Sequence, residues 1–98
     1  MTAQRPAGLP TWGGRYALRM TRATLQRWGH QCHLCRQPGA TTADHLIPRS
    51  KGGNDSVEHN LRPAHHGCNS VRGDRDLTEW FAAHPIPARE ALPPSRQW

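Results

Sequence analysis

No acidic residue precedes Asp44. Six arginines, Arg5, Arg15, Arg19, Arg22, Arg27 and Arg36, stand unopposed before it. From Asp44 onward seven basic residues meet seven acidic ones, so the net charge of +6 originates in the first part of the chain. Such an asymmetry fits a polyanionic partner, with a merely solubilising charge excess as the alternative. Long apolar runs are missing too. Nothing approaches the roughly 20 consecutive apolar residues of a membrane span, and no amphipathic face is wide enough to insert into an anionic bilayer, which favours nucleic acid and excludes a membrane partner. The opening residues lack the apolar core of a secretory leader, and the expected compartment is the cytoplasm. Cysteine is scarce: Cys32, Cys35 and Cys68 are an odd set that cannot close as internal disulfides, and reduced thiols at close spacing are better used on a metal. With 98 residues, 35% of them hydrophobic, the chain fits one domain with a thin core, for which a staple is expected.

The chain divides into a Gly, Pro, Thr and Ala-rich arm over residues 1–14 that docks locally through Trp12, a domain over residues 15–84, and a proline-rich irregular tail over residues 85–98. Helix formers dominate residues 16–28, where Ala17, Leu18, Thr21, Leu25 and Trp28 fall on one face and Arg15, Arg19 and Arg22 on the other. The basic stripe suits a phosphate backbone or simple solvation. Gly29 is placed as the helix C-cap. Residues 40–47 read as a strand, 48–55 as a loop, 60–64 as a second strand and 65–73 as a short helix. Asp76 with Glu79 resembles a capping box for a last helix, with Leu77, Trp80 and Phe81 as its apolar face and Pro85 as its stop.

Cys32 and Cys35 form a Cys-x-x-Cys pair, and His65 repeats that spacing to Cys68. Two such knuckles make a tetrahedral site for structural zinc with no open position. His65 is preferred over His66 because it keeps the spacing, and the sequence leaves the choice open. A redox pair is disfavoured by the lack of a βαβ pattern.

Between and just beyond the knuckles lie Asp44-His45, a loop with Pro48, Gly52 and Gly53, then Asn60-Leu61, and Asn69 directly after the last cysteine. In that order these elements resemble the HNH nuclease family, over about residues 28–74. The resemblance implies a small single α+β domain with a zinc-stapled ββα-metal (His-Me finger) core between flanking N- and C-terminal helices. It implies His45 as general base, Asp44 and Asn69 as ligands of a catalytic Mg²⁺, Mn²⁺ or Ni²⁺, and Asn60 as the pin of the loop that orients His45. A neutral imidazole suits proton abstraction at neutral pH, and a hard ion suits carboxylate and amide oxygens. His65 stands where a fourth cysteine is usual, and Asn69 where the name-giving last histidine is usual. Arg49, Lys51, Arg62, Arg72 and Arg75 flank the site as candidate phosphate contacts, with Arg72 foremost, and His59 and His66 are weaker candidates.

The expectation is therefore a metal-dependent endonuclease acting on DNA and leaving 3′-hydroxyl and 5′-phosphate ends. A monomer is favoured, and the likeness to stand-alone phage or mobile-element nucleases would bring packaging or restriction proteins as partners. Two rivals are a non-catalytic zinc-stabilised DNA-binding module, which would not need Asp44, His45, Asn60 and Asn69 together, and a zinc-stabilised protein-interaction domain using Trp12, Trp98 and the tail.

Overall fold

The computed structural model describes residues 9–86. Trp98, the tail beyond residue 86 and the first eight residues of the arm lie outside the described residues. Helix α1 (Gly14–Trp28) leads into a two-stranded antiparallel sheet of β1 (Thr42–His45) and β2 (Leu61–Ala64). Helices α2 (His66–Arg72) and α3 (Leu77–Ala83) follow. The α+β architecture is the expected one, with β1, β2 and α2 forming the ββα core and α1 and α3 flanking it.

Helix α1 begins two residues earlier than the apolar pattern indicates and ends as expected. Gly29 takes φ 86 and donates its N–H to the Leu25 carbonyl. The buried face is rotated from the expected one. Leu18 is 48% exposed, whereas Thr24 is fully buried. Apolarity alone points to Leu18, but the Thr24 hydroxyl donates to the Met20 carbonyl at 2.8 Å and thereby loses its cost of burial. Arg15, Arg19 and Arg22 remain exposed.

The strands pair Thr42 with Ala64, Ala43 with Pro63, Asp44 with Arg62 and His45 with Leu61. Pro63 fits in β2 because its missing donor is not needed at that position, and its carbonyl accepts the His33 N–H from the first knuckle. Cys32, Leu34, Ala40, Ala64 and Trp80 form the apolar core, with Cys35, Cys68, Leu77 and Phe81 packed against it. The α3 face thus seats on the knuckles. Asp76 precedes α3 as expected but makes no side-chain cap; Lys51 Nζ engages its carboxylate at 3.1 Å instead. Thr24, Asp44, Asp55, Asn60 and Arg72 are buried polar groups. All but Thr24 belong to β1 or bond to β1 and the loop that follows it.

Candidate functional site

The first knuckle is a tight turn in which the Arg36 N–H donates to the Cys32 carbonyl at 2.8 Å. Arg36 takes a left-handed φ of 69 to make it. The second knuckle enters α2. Together they place ligand atoms of Cys32, Cys35, His65 and Cys68 within 4.8 Å of one another. Sulfurs of a tetrahedral site with bonds of about 2.3 Å stand roughly 3.8 Å apart, so the group fits zinc with little movement. His65 Nε2 lies 2.8 Å from the Pro38 carbonyl, which can only accept, so that nitrogen carries the proton. Nδ1 then faces the thiols, 3.3 Å from Cys35 Sγ and 3.8 Å from Cys68 Sγ. His66 is exposed and outside the group. This geometry favours His65 as the ligand.

The thiols are not equivalent without metal. Burial pushes Cys32 up, but N–H donors from His65, Cys35 and Leu34 outweigh it and bring the thiol down to about 7. Cys68 is pushed up to about 12 by burial and by the neighbouring thiols. A bound cation removes this conflict by favouring all the thiolates at once.

Beside the zinc group, a cavity of about 270 Å³ brings together Asp44, His45 and Asn69, with Trp12, Arg49 and Arg72 on its walls. Asp44 Oδ2 accepts from Arg72 Nη1 at 2.9 Å and lies 2.8 Å from His33 Nε2, inside the first knuckle. Asp44 Oδ1 has no hydrogen-bond partner among the described residues. Asn69 donates its amide to the Ala43 carbonyl at 3.3 Å, and its amide oxygen likewise has none. Two oxygens of the kind a hard divalent ion takes thus lie on one cavity, and they fit such an ion provided water or substrate completes the shell.

Asn60 stands behind this cavity. Its Oδ1 accepts the Ile47 N–H at 2.9 Å, and its Nδ2 donates to the carbonyls of Ile47 at 3.1 Å and Asn54 at 2.7 Å. The loop can fold so tightly only with glycine at position 53, because a Cβ on Gly53 would sit 1.7 Å from the Ile47 carbonyl oxygen.

The family model of the HNH endonuclease matches residues 32–75. This segment, less than half of the chain, is similar to the HNH endonuclease family. No curated protein and no solved structure matches the chain.

The matched segment contains a group that sequence reading missed. His45 Nε2 lies 2.9 Å from Asp55 Oδ1. Asp55 also takes a two-pronged contact from Arg49, Nε at 3.0 Å and Nη2 at 2.9 Å, and the Tyr16 hydroxyl at 2.6 Å from α1. Burial pushes the Asp55 carboxyl up, but the Arg49, Tyr16 and His45 contacts outweigh it and hold it below the usual carboxylate range. The same hydrogen bond, with burial, raises the Tyr16 hydroxyl above its ordinary value. Trp12 lies edge-on to the His45 ring, centroids 4.6 Å apart.

Among the expected phosphate contacts, Arg72 is corrected. Its side chain is fully buried, donating to Asp44, to the carbonyls of His45 and Leu46 and to the Arg75 carbonyl. It holds the site together and has no surface for a strand. Arg49 is largely taken up by Asp55 and the Pro10 carbonyl. Lys51 pairs with Asp76, Arg62 stacks on Trp28, and Arg75 donates to the Val71 carbonyl. Arg15, Arg19 and Arg22 line a separate open groove on α1, not the cavity. His59 and His66 are exposed. Among the described residues no helix is long and apolar enough to cross a membrane.

Proposed function

We infer that the chain is a divalent-metal-dependent endonuclease hydrolysing DNA phosphodiester bonds, with zinc as its structural metal. The observation that carries this reading is the convergence of Asp44, His45 and Asn69 on one cavity beside a closed Cys₃His group. Asp44 and Asn69 would hold the catalytic ion through their unpartnered oxygens. Bound there, Mg²⁺, Mn²⁺ or Ni²⁺ would supply positive charge to the scissile phosphate and the departing 3′ oxygen. His45 accepts the proton of the attacking water as general base. Asn60 fixes the loop that follows His45, and Arg72 fixes the carbonyls of His45 and Leu46, so the imidazole is presented from a rigid frame. Arg15, Arg19 and Arg22, all exposed, would meet the backbone of bound DNA. Products are 3′-hydroxyl and 5′-phosphate ends.

The test is plasmid cleavage by zinc-loaded protein in Mg²⁺, Mn²⁺, Ni²⁺ or EDTA. Metal-dependent nicking or linearisation is expected, and His45→Ala should slow it by about 10²–10⁴-fold, the usual contribution of a positioned base. Folded protein that binds DNA and never cuts it under any of these ions would instead favour a DNA-binding module.

A further inference from the structure

We propose that Asp55 is a positioning residue that locks His45 in the tautomer protonated at Nε2, leaving Nδ1 as the nitrogen that takes the proton. The role in catalysis rests on the nuclease reading above; the tautomer does not.

An ionised carboxylate only accepts hydrogen bonds. Asp55 is kept ionised by the paired contact from Arg49, a guanidinium fork matched to a carboxylate, and by the Tyr16 hydroxyl, which donates to the oxygen not facing His45. The Asp55 side chain is only 3% exposed, so water does not compete for these positions. Facing such an acceptor at 2.9 Å, His45 Nε2 has to be the donor. A neutral imidazole carries one N–H, so its lone pair then sits on Nδ1. Among the described residues Nδ1 has no hydrogen-bond partner. Asp55 is absent from the cavity lining whereas His45 belongs to it. The carboxylate therefore holds the ring from behind and leaves the other nitrogen to the reacting side. Trp12, edge-on to the ring, limits rotation about the remaining bond.

The arrangement is built from three separate parts of the chain: Tyr16 on α1, Arg49 in the 3₁₀ turn Arg49–Lys51, and Asp55 at the loop's far end. A surface ion pair would need none of this support. The convergence of four donor atoms, His45 Nε2 among them, on one buried carboxylate is what an orienting group requires.

The experiment is long-range ¹H–¹⁵N correlation on zinc-loaded, full-length protein at about pH 8, above the ordinary imidazole value of about 6.5. Wild-type His45 should show the Nε2–H form. In Asp55→Asn the amide can donate as well as accept, so the Nδ1–H form should appear, while Asp55→Glu should restore Nε2–H. Single-turnover cleavage should fall at least ~10-fold in Asp55→Asn with DNA affinity within about 3-fold, and recover in part in Asp55→Glu. Nδ1–H or a doubly protonated ring in the wild type would overturn the proposal, a result that needs no folded variant. An unchanged tautomer in folded Asp55→Asn would also overturn it. If wild-type protein cuts no DNA, the nuclease reading falls while the tautomer measurement still decides the role of Asp55.

Discussion

Replacing Arg72 by leucine sets two roles for this side chain against each other. A phosphate contact would lie at the surface, where substitutions shift stability within about 0.5 kcal/mol, and its loss would lower the salt slope of DNA binding by about 1. The structure places the guanidinium at 0% exposure against a carboxylate at 5%. Breaking a buried pair by removing one partner costs about 3–5 kcal/mol, because the remaining charge stays desolvated. The carbonyls of His45, Leu46 and Arg75 lose donors as well, while leucine refills part of the volume. A loss of about 3–5 kcal/mol is therefore expected, a large share of the ~5–15 kcal/mol margin of an ordinary domain. Urea unfolding at buffered zinc, with a slope near ~1 kcal/mol/M for so small a chain, would show the midpoint falling by roughly 3–5 M. Binding by whatever protein remains folded should keep its salt slope. Unchanged stability with a reduced slope would refute the buried role and restore the surface one.

Three further outcomes are expected. Chelating the zinc should abolish the cooperative unfolding transition, since structural zinc supplies an apparent ~10–16 kcal/mol, comparable to all other stability; a chelated protein that still melts sharply would refute the stapling role. The chain's single tyrosine gives a clean absorbance titration. Tyr16 should ionise above its ordinary value of about 10, and Asp55→Ala should bring it back towards that value. Because its folded value is raised, the stability it contributes is present below about pH 10 and disappears as pH rises through the folded value, so Tyr16→Phe should lose less of its own neutral-pH stability across that range than wild type does. Gly53→Ala should cost more than Gly52→Ala: the first puts a Cβ at 1.7 Å from the Ile47 carbonyl oxygen, whereas the second meets nothing and carries only the strain of φ +91, about 1–2 kcal/mol. Equal melting temperatures for the two variants would contradict the close approach.

What could be read from the residues was whatever repeats or clusters along the chain. Helical periodicity located α1 and α3, and paired spacing located the four zinc-ligand candidates. The failures share a cause. Apolarity alone places Leu18 inside, and the local partner of the Thr24 hydroxyl leaves no mark in the sequence. Asp76 looked like a cap because Lys51, 25 residues away, is not visible as its partner. Arg72 looked like a surface cation because charge is legible and burial against β1 is not. Asp55 and Tyr16, 39 residues apart, have no spacing signature at all. The one available signal was chemical: a histidine used as a base needs an acceptor for its second nitrogen, and Asp55 is the acidic residue of the loop that follows it.

The contacts of α1 and α3 also bear on how the matched segment can be moved between scaffolds. Tyr16, which donates to Asp55, and Trp28, whose indole donates to the Val57 carbonyl at 2.7 Å, both precede the matched segment, and Trp80, which packs on the knuckles, follows it. A graft of residues 32–75 alone would carry His45 with a loosened Asp55, an unpaired carbonyl at Val57 and an uncovered apolar face at Leu34. The portable unit has to run from Trp12 to the end of α3, so fusion junctions belong outside those two helices.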